Sequence, residues 1–410
     1  MTWKSPNPPE WVVGLNGHAD AVGGARELVS LDPEGLQTSA RRSTGLVDFG
    51  GDTWRPHFEV FIEALEHDAT LSTTGRLMAR TEVLRALRQR LLLTELWRRD
   101  PTILEEPIES PVFVVGTGRA GTSILHELLA LEPTNRVPLT WELLHAGETL
   151  GPEATRARRA GNATHSFWEQ VQPDFATMHH NDGDEPNECI FATMLEFLSD
   201  QWAGTYEVPS YTNYMLAQDH TEAYRYHRRV LQTLQRRDRR ERWVLKAPSH
   251  LAQMHTLFEV YPDARVIQIH RDPLKSVPST ISLMATLRSM RYEVVDIEPI
   301  VPFISLGYGF LLDSVMDDRD NGRLPDGQFV DVRYADLMSD PVETLADVYR
   351  SIDVEPPADL AQRVTSHLSI RPKGVHGAHR YALADTGLDE VAERARFERY
   401  AARYSVPDET

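Results

Sequence analysis

Residues 111–129 read PVFVVGTGRAGTSILHELL, an apolar run that empties into a glycine-rich turn and then into a helical pattern. No other stretch so narrows the folds open to the chain. The apolar run reads as a buried strand, and the helix must start where the strand ends. Gly116, Gly118 and Gly121 permit backbone angles and close approaches that other residues resist. The spacing Gly116-x4-Gly121-Thr122-Ser123 matches a phosphate-cradling loop at every position but one. Thr122 stands where a nucleotide triphosphatase has the lysine that bridges terminal phosphates, and Arg119 is the cation of the turn. Such a loop still offers backbone N–H groups and a helix N-terminus to an anion. Gly118, Arg119, Ala120, Gly121, Thr122 and Ser123 are therefore read as a site for a phosphate or sulfate ester that needs no metal. Arg119 can fork onto two oxygens, and the hydroxyls of Thr122 and Ser123 add hydrogen bonds.

A second segment, 243–283, reads WVLKAPSHLAQMHTLFEVYPDARVIQIHRDPLKSVPSTISL. The runs 243–245 and 265–269 look like short buried strands, and 251–261 between them has helical spacing. This is a strand–helix–strand unit of a parallel sheet. Arg271 falls just past the end of its strand, where such sheets bind ligands, and Ser279 follows near the start of the next helix.

Here the chain resembles the sulfotransferases that use 3′-phosphoadenosine-5′-phosphosulfate. The pattern R-x-G-T-[ST], which holds the 5′-phosphosulfate in that family, is present as Arg119, Gly121, Thr122 and Ser123. The arginine and serine that grip the 3′-phosphate correspond to Arg271 and Ser279. Lys246, in LKAP, is similar to a lysine that stabilises the sulfuryl transition state in the tyrosylprotein enzymes. A basic glycine loop at 371–388, RPKGVHGAHRYALADTGL, resembles the segment that closes over the adenosine. It implies that Lys373, Gly374, Gly377 and Arg380 bind the same co-substrate. The overall look is that of the actinobacterial sulfotransferase-like proteins, over roughly 111 to 400.

Sulfuryl transfer requires cations or N–H groups for the oxygen that leaves and a base for the acceptor that attacks. Arg119, Lys246 and the loop amides cover the first need. Glu142, in PLTWELLH, is the first reading for the base, because the tyrosylprotein enzymes carry a glutamate in the equivalent stretch. The alternative is the run HHNDGDEPNEC, where Glu185, Glu188, His179 or His180 is the substitute. No recognised metal-ligand spacing appears in that run.

The fold expected is α/β, a P-loop-type three-layer arrangement around a central parallel sheet. Residues 1–110 read as an N-terminal helical region. Residues 111–410 form the sulfotransferase-like domain, with a helical insertion at about 151–240 on the acceptor side. The aromatics of that insertion read mainly as core, and 284–290 with 294–304 as a lid, an acceptor wall or a homodimer interface. The formal charge of −18 argues against a nucleic-acid partner. A single cysteine, Cys189, suits a reducing compartment. No signal-like start and no apolar run near 18 residues is evident, so a cytoplasmic protein without an integral membrane segment is expected. The function expected is metal-free transfer from the phosphoadenosine donor to a hydroxyl or amine of a small or lipid-like acceptor. Two rivals remain: a P-loop kinase or nucleotide hydrolase, and a non-catalytic nucleotide- or lipid-binding protein.

Overall fold

The computed structural model describes residues 3–179, 182–370, 379 and 381–409. Five strands form one parallel sheet: β1 (Val112–Val115), β2 (Asn135–Arg136), β3 (Arg242–Lys246), β4 (Arg265–His270) and β5 (Phe329–Arg333). Their order is β2-β3-β1-β4-β5, with β1 at the centre. The β3–helix–β4 unit read from the sequence therefore straddles β1, which both of its strands pair with in parallel.

Alternation along β1 builds the three layers. Phe113 and Val115 point into a core shared with helices from the N-terminal region and from the middle of the chain. Val112 and Val114 point into a second core, closed by the helix Thr122–Leu129 and by helices after residue 341. Successive side chains of a strand lie on opposite faces, so a strand buried on both sides reads as an unbroken apolar run. That is why VFVV is uniformly buried.

All described elements before β1 are helical, as expected for 1–110. The longest, Thr73–Arg99, starts at Ser72, whose hydroxyl accepts the Gly75 N–H at 3.0 Å. Leu31 through Ile108 share one core with Phe113, Leu245 and Val266, so these helices pack directly onto the sheet. The insertion is mostly helical too, and its aromatics Phe191, Phe197, Trp202, Tyr206, Tyr211, Tyr224 and Tyr226 are buried. The helix Ile300–Asp320 is, among the described residues, the one long and apolar enough to cross a membrane by length and composition. The sequence reading did not single it out. Ile300, Ile304, Leu312 and Met316 of this helix join the main core, whereas Phe303, Leu306 and Phe310 are exposed.

Candidate active site

The loop after β1 is shaped by glycine. Gly121 has φ +106°, and a Cβ there would meet the Tyr334 ring at 2.5 Å. At Gly118 a Cβ would come within 2.5 Å of the Tyr308 hydroxyl. Arg119 itself adopts φ 65°, a left-handed conformation that costs an L-residue about 1–2 kcal/mol. The turn throws its guanidinium across the loop, where Nε donates to Ser279 Oγ at 3.1 Å and Nη1 to the Met178 carbonyl at 2.8 Å. Burial pulls this guanidinium below its ordinary pKa. The helix opens at Thr122, so the first-turn N–H groups of Thr122 and Ser123 have no partners within the helix.

Two further strand ends converge on this loop. Lys246 closes β3, and its Nζ donates to Ser123 Oγ at 3.2 Å and to the Glu188 carboxylate at 2.6 Å. Arg271 follows β4. Its Nη1 donates to the Arg119 carbonyl at 3.0 Å, and its guanidinium lies 4.1 Å from the centroid of the Tyr334 ring. Burial alone would lower the Arg271 pKa, but the Glu409 carboxylate and Tyr334 outweigh it and raise the value. Arg119, Lys246, Arg271, Ser123 and Ser279 are thus brought into one cluster at the C-terminal edge of the sheet, with Gly118, Ala120, Gly121 and Thr122 in the loop beneath. Ser279 meets Arg119 rather than Arg271, which differs from the pairing expected on the 3′-phosphate side.

The carboxylates sort differently from the sequence expectation. Glu142 is buried with both oxygens engaged: Arg136 Nη2 donates to one at 2.7 Å and the Leu139 N–H to the other at 3.1 Å. It sits after the edge strand β2, with β3 between it and β1. The carboxylate on Lys246 is Glu188 instead. Its placement is built from neighbouring chain: the Asn187 N–H donates to the Pro138 carbonyl and the Cys189 N–H to the Lys246 carbonyl, each at 2.9 Å. Asp184 faces Arg158 at 2.6 Å, and Glu185 accepts the Asp182 N–H at 3.0 Å. His180 and the His179 side chain lie outside the described residues, as do Lys373, Gly374, Gly377 and Arg380. His379, the described residue between Gly377 and Arg380, has its Nε2 2.9 Å from Ser282 Oγ. Burial, followed by the charge of Arg119, lowers the pKa of His379 to about 4. Among the described residues no group of His, Cys, Asp and Glu is arranged to hold a metal.

Residues 111–358 match the sequence model of the sulfotransferase family. The chain belongs to that family. Among curated relatives, the omega-hydroxy-beta-dihydromenaquinone-9 sulfotransferases Stf3 of Mycobacterium bovis and Mycobacterium tuberculosis are 26% identical over 327 residues, 73% of this chain and 77% of theirs. The crystal structure of sulfotransferase STF1 from Mycobacterium tuberculosis is 30% identical with a TM-score of 0.75, over 89% of this chain and 98% of that one. STF9 from Mycobacterium avium is 25% identical with a TM-score of 0.81, over 92% and 97%. As a sulfotransferase the chain is a transferase with the α/β fold expected of it.

Three residues that touch this cluster carry no mark in the sequence analysis. Tyr334 follows β5 directly, and its position at a C-terminal strand end was a usable signal. Tyr308 reaches Thr280 Oγ1 at 3.1 Å from the helix Ile300–Asp320, and burial pushes its hydroxyl up to about 12. Glu409 lies far outside any motif, and nothing local marks it.

Proposed function

We propose that the protein transfers a sulfuryl group from 3′-phosphoadenosine-5′-phosphosulfate to a hydroxyl of a lipid-like acceptor. The observation that carries this reading is Lys246, which spans the anion loop at Ser123 and a carboxylate at Glu188. One cation thereby sits between the group that leaves and the base that activates the group that attacks. The co-substrate would supply the sulfuryl group and depart as 3′-phosphoadenosine-5′-phosphate. Glu188 accepts the proton of the acceptor hydroxyl. Lys246, Arg119 and the loop amides meet the negative charge that grows on the departing phosphate oxygen. Arg271, at the end of β4, takes the 3′-phosphate. Glu142 then acts as a structural partner of Arg136 rather than as the base.

The residues fit a donor anion held without metal. The loop lacks a lysine beside its hydroxyls, and Asp272, the nearest candidate for a magnesium-holding aspartate, is engaged. One of its oxygens caps the helix Pro273–Ser289 through the Leu274 N–H at 2.9 Å, and the other accepts the Glu409 N–H at 3.0 Å. The lipid-like acceptor is supported by the menaquinone derivative in the names of the curated relatives. A donor made in the cytosol and a free, buried Cys189 fit a cytoplasmic enzyme. The test incubates the protein with the donor and a series of hydroxylated isoprenoid quinols, and follows release of 3′-phosphoadenosine-5′-phosphate. Acceptor-dependent release that is lost in Glu188→Gln supports the reading. Donor binding with no release on any hydroxylated acceptor would favour a non-catalytic binding protein.

A further inference from the structure

Arg271 is already occupied by an anion from its own chain. Its Nε and Nη2 both donate to the Glu409 carboxylate, at 3.0–3.2 Å. A forked carboxylate on a forked guanidinium uses the same nitrogens, in the same plane, that would grip two oxygens of a phosphate monoester. Glu409 does not arrive there as a loose end. After the helix Glu390–Tyr404, Ser405 turns the chain with φ 51°, and the Val406 N–H donates to the Ala401 carbonyl at 2.9 Å. Asp408 pairs with Arg394 at 2.8 Å, and the Glu409 N–H donates to Asp272 at 3.0 Å. One turn and three contacts thus deliver one carboxylate to one guanidinium.

We propose that residues 405–409 form an internal competitor for the donor site: Glu409 holds the Arg271 nitrogens, and the 3′-phosphate of the donor binds by displacing it. The proposal rests on reading Arg271 as the 3′-phosphate ligand. The exposure of the pair makes the exchange feasible, since the Glu409 and Arg271 side chains keep 22% and 17% of their surface in contact with solvent. The pair lies beyond the strand ends and can open without disturbing the sheet, and a phosphate dianion attracts the guanidinium more strongly than a single carboxylate does. While the tail is docked, the apparent donor affinity falls by the fraction of molecules in which Arg271 is free. A tail docked in about nine molecules of ten would weaken binding about tenfold.

The test titrates the full chain calorimetrically with 3′-phosphoadenosine-5′-phosphate and, separately, with adenosine 5′-phosphate. Wild type, Glu409→Gln, Arg271→Ala and the double variant are compared. Glu409→Gln should bind 3′-phosphoadenosine-5′-phosphate about five- to tenfold more tightly and adenosine 5′-phosphate unchanged. That gain should vanish in the Arg271→Ala background. Hydrogen exchange supplies a second readout, in which the bisphosphate should speed exchange of the 405–409 amides in wild type. If Glu409→Gln leaves affinity unchanged while Arg271→Ala loses it, the competitor proposal falls and the donor site stands. If no variant prefers the 3′-phosphorylated nucleotide, the donor-site reading falls and the proposal falls with it.

Discussion

The donor side and the acceptor side of the proposed site are built on different principles. On the donor side, strand ends and a left-handed turn place the three cations: Arg119 in the loop after β1, Lys246 at the end of β3 and Arg271 after β4. On the acceptor side, Glu188 is placed by contacts between segments far apart in sequence, with Asn187 tied to Pro138 and Cys189 to Lys246. The difference separates what a local pattern can specify from what only tertiary pairing can. It also explains how two glutamates near helix starts, Glu142 and Glu188, come to face Arg136 and Lys246 respectively.

The sharpest way to break this comparison is to remove each carboxylate in turn. Glu188→Gln should lower the transfer rate about 10²–10⁴-fold, the range expected for a general base, with nucleotide affinity nearly unchanged. Glu142→Gln should do the reverse. Transfer per folded molecule should be nearly normal, but stability should fall by about 3 kcal/mol, because the buried Arg136 guanidinium loses its near charge partner and keeps only Asp238 at 3.7 Å. Single-turnover assays paired with denaturant titrations read both outcomes. A large rate loss in Glu142→Gln with stability intact would return the base to Glu142 and erase the distinction.

The donor side is sharpened by two smaller effects. Arg271→Ala should weaken binding of 3′-phosphoadenosine-5′-phosphate by about 2–3 kcal/mol, as loss of a charge-assisted contact does. Gly121→Ala should cost about 2 kcal/mol of stability, since the left-handed turn resists a side chain and the new methyl would press on the Tyr334 ring at 2.5 Å. Equal stability of Gly121→Ala and wild type in chemical denaturation would show that the loop is less constrained than its backbone implies.

The smallest expected effect is a dependence on pH. His126 and His227 are buried, and burial lowers both pKa values to about 3, with the Lys246 charge adding to the effect at His126. Both are neutral in the fold above pH 3, whereas the unfolded chain protonates them below its ordinary value of about 6.5. The unfolded state therefore binds more protons between those limits, and stability must fall as pH drops through that window. Each contributes about 1.4 kcal/mol per pH unit below 6.5. Thermal unfolding at pH 7 and pH 5.5 checks this, and His227→Gln should flatten the slope. An unchanged slope would show that His227 does not carry the effect.

Much of the donor side was legible in the sequence because it obeys short-range rules. VFVV had to be a doubly buried strand, and the glycine spacing had to form a tight turn into a helix. Arg271 had to lie at a strand end. The parallel sheet followed from the strand–helix–strand pattern, although its order, with β1 between β3 and β4, was not visible. The base was not legible. Both Glu142 and Glu188 sit near helix starts, and what separates them is their partners, Arg136 and Lys246, set by tertiary pairing that no periodicity announces. The contact between Ser279 and Arg119 was not visible, since eight residues of spacing from Arg271 do not reveal which way Arg119 turns. Glu409 lay beyond reach for the same reason: its role is set by where the helix Glu390–Tyr404 ends in space.

The central claim is that this loop, lacking the lysine of a nucleotide triphosphatase, holds a phosphosulfate donor without a divalent cation. Calorimetric titration of the wild-type protein with 3′-phosphoadenosine-5′-phosphate and with ATP, each with and without magnesium, tests it most directly. The account predicts tight binding of the 3′-phosphorylated nucleotide, unchanged by magnesium, and weak binding of ATP. Preferential binding of ATP with magnesium would contradict it.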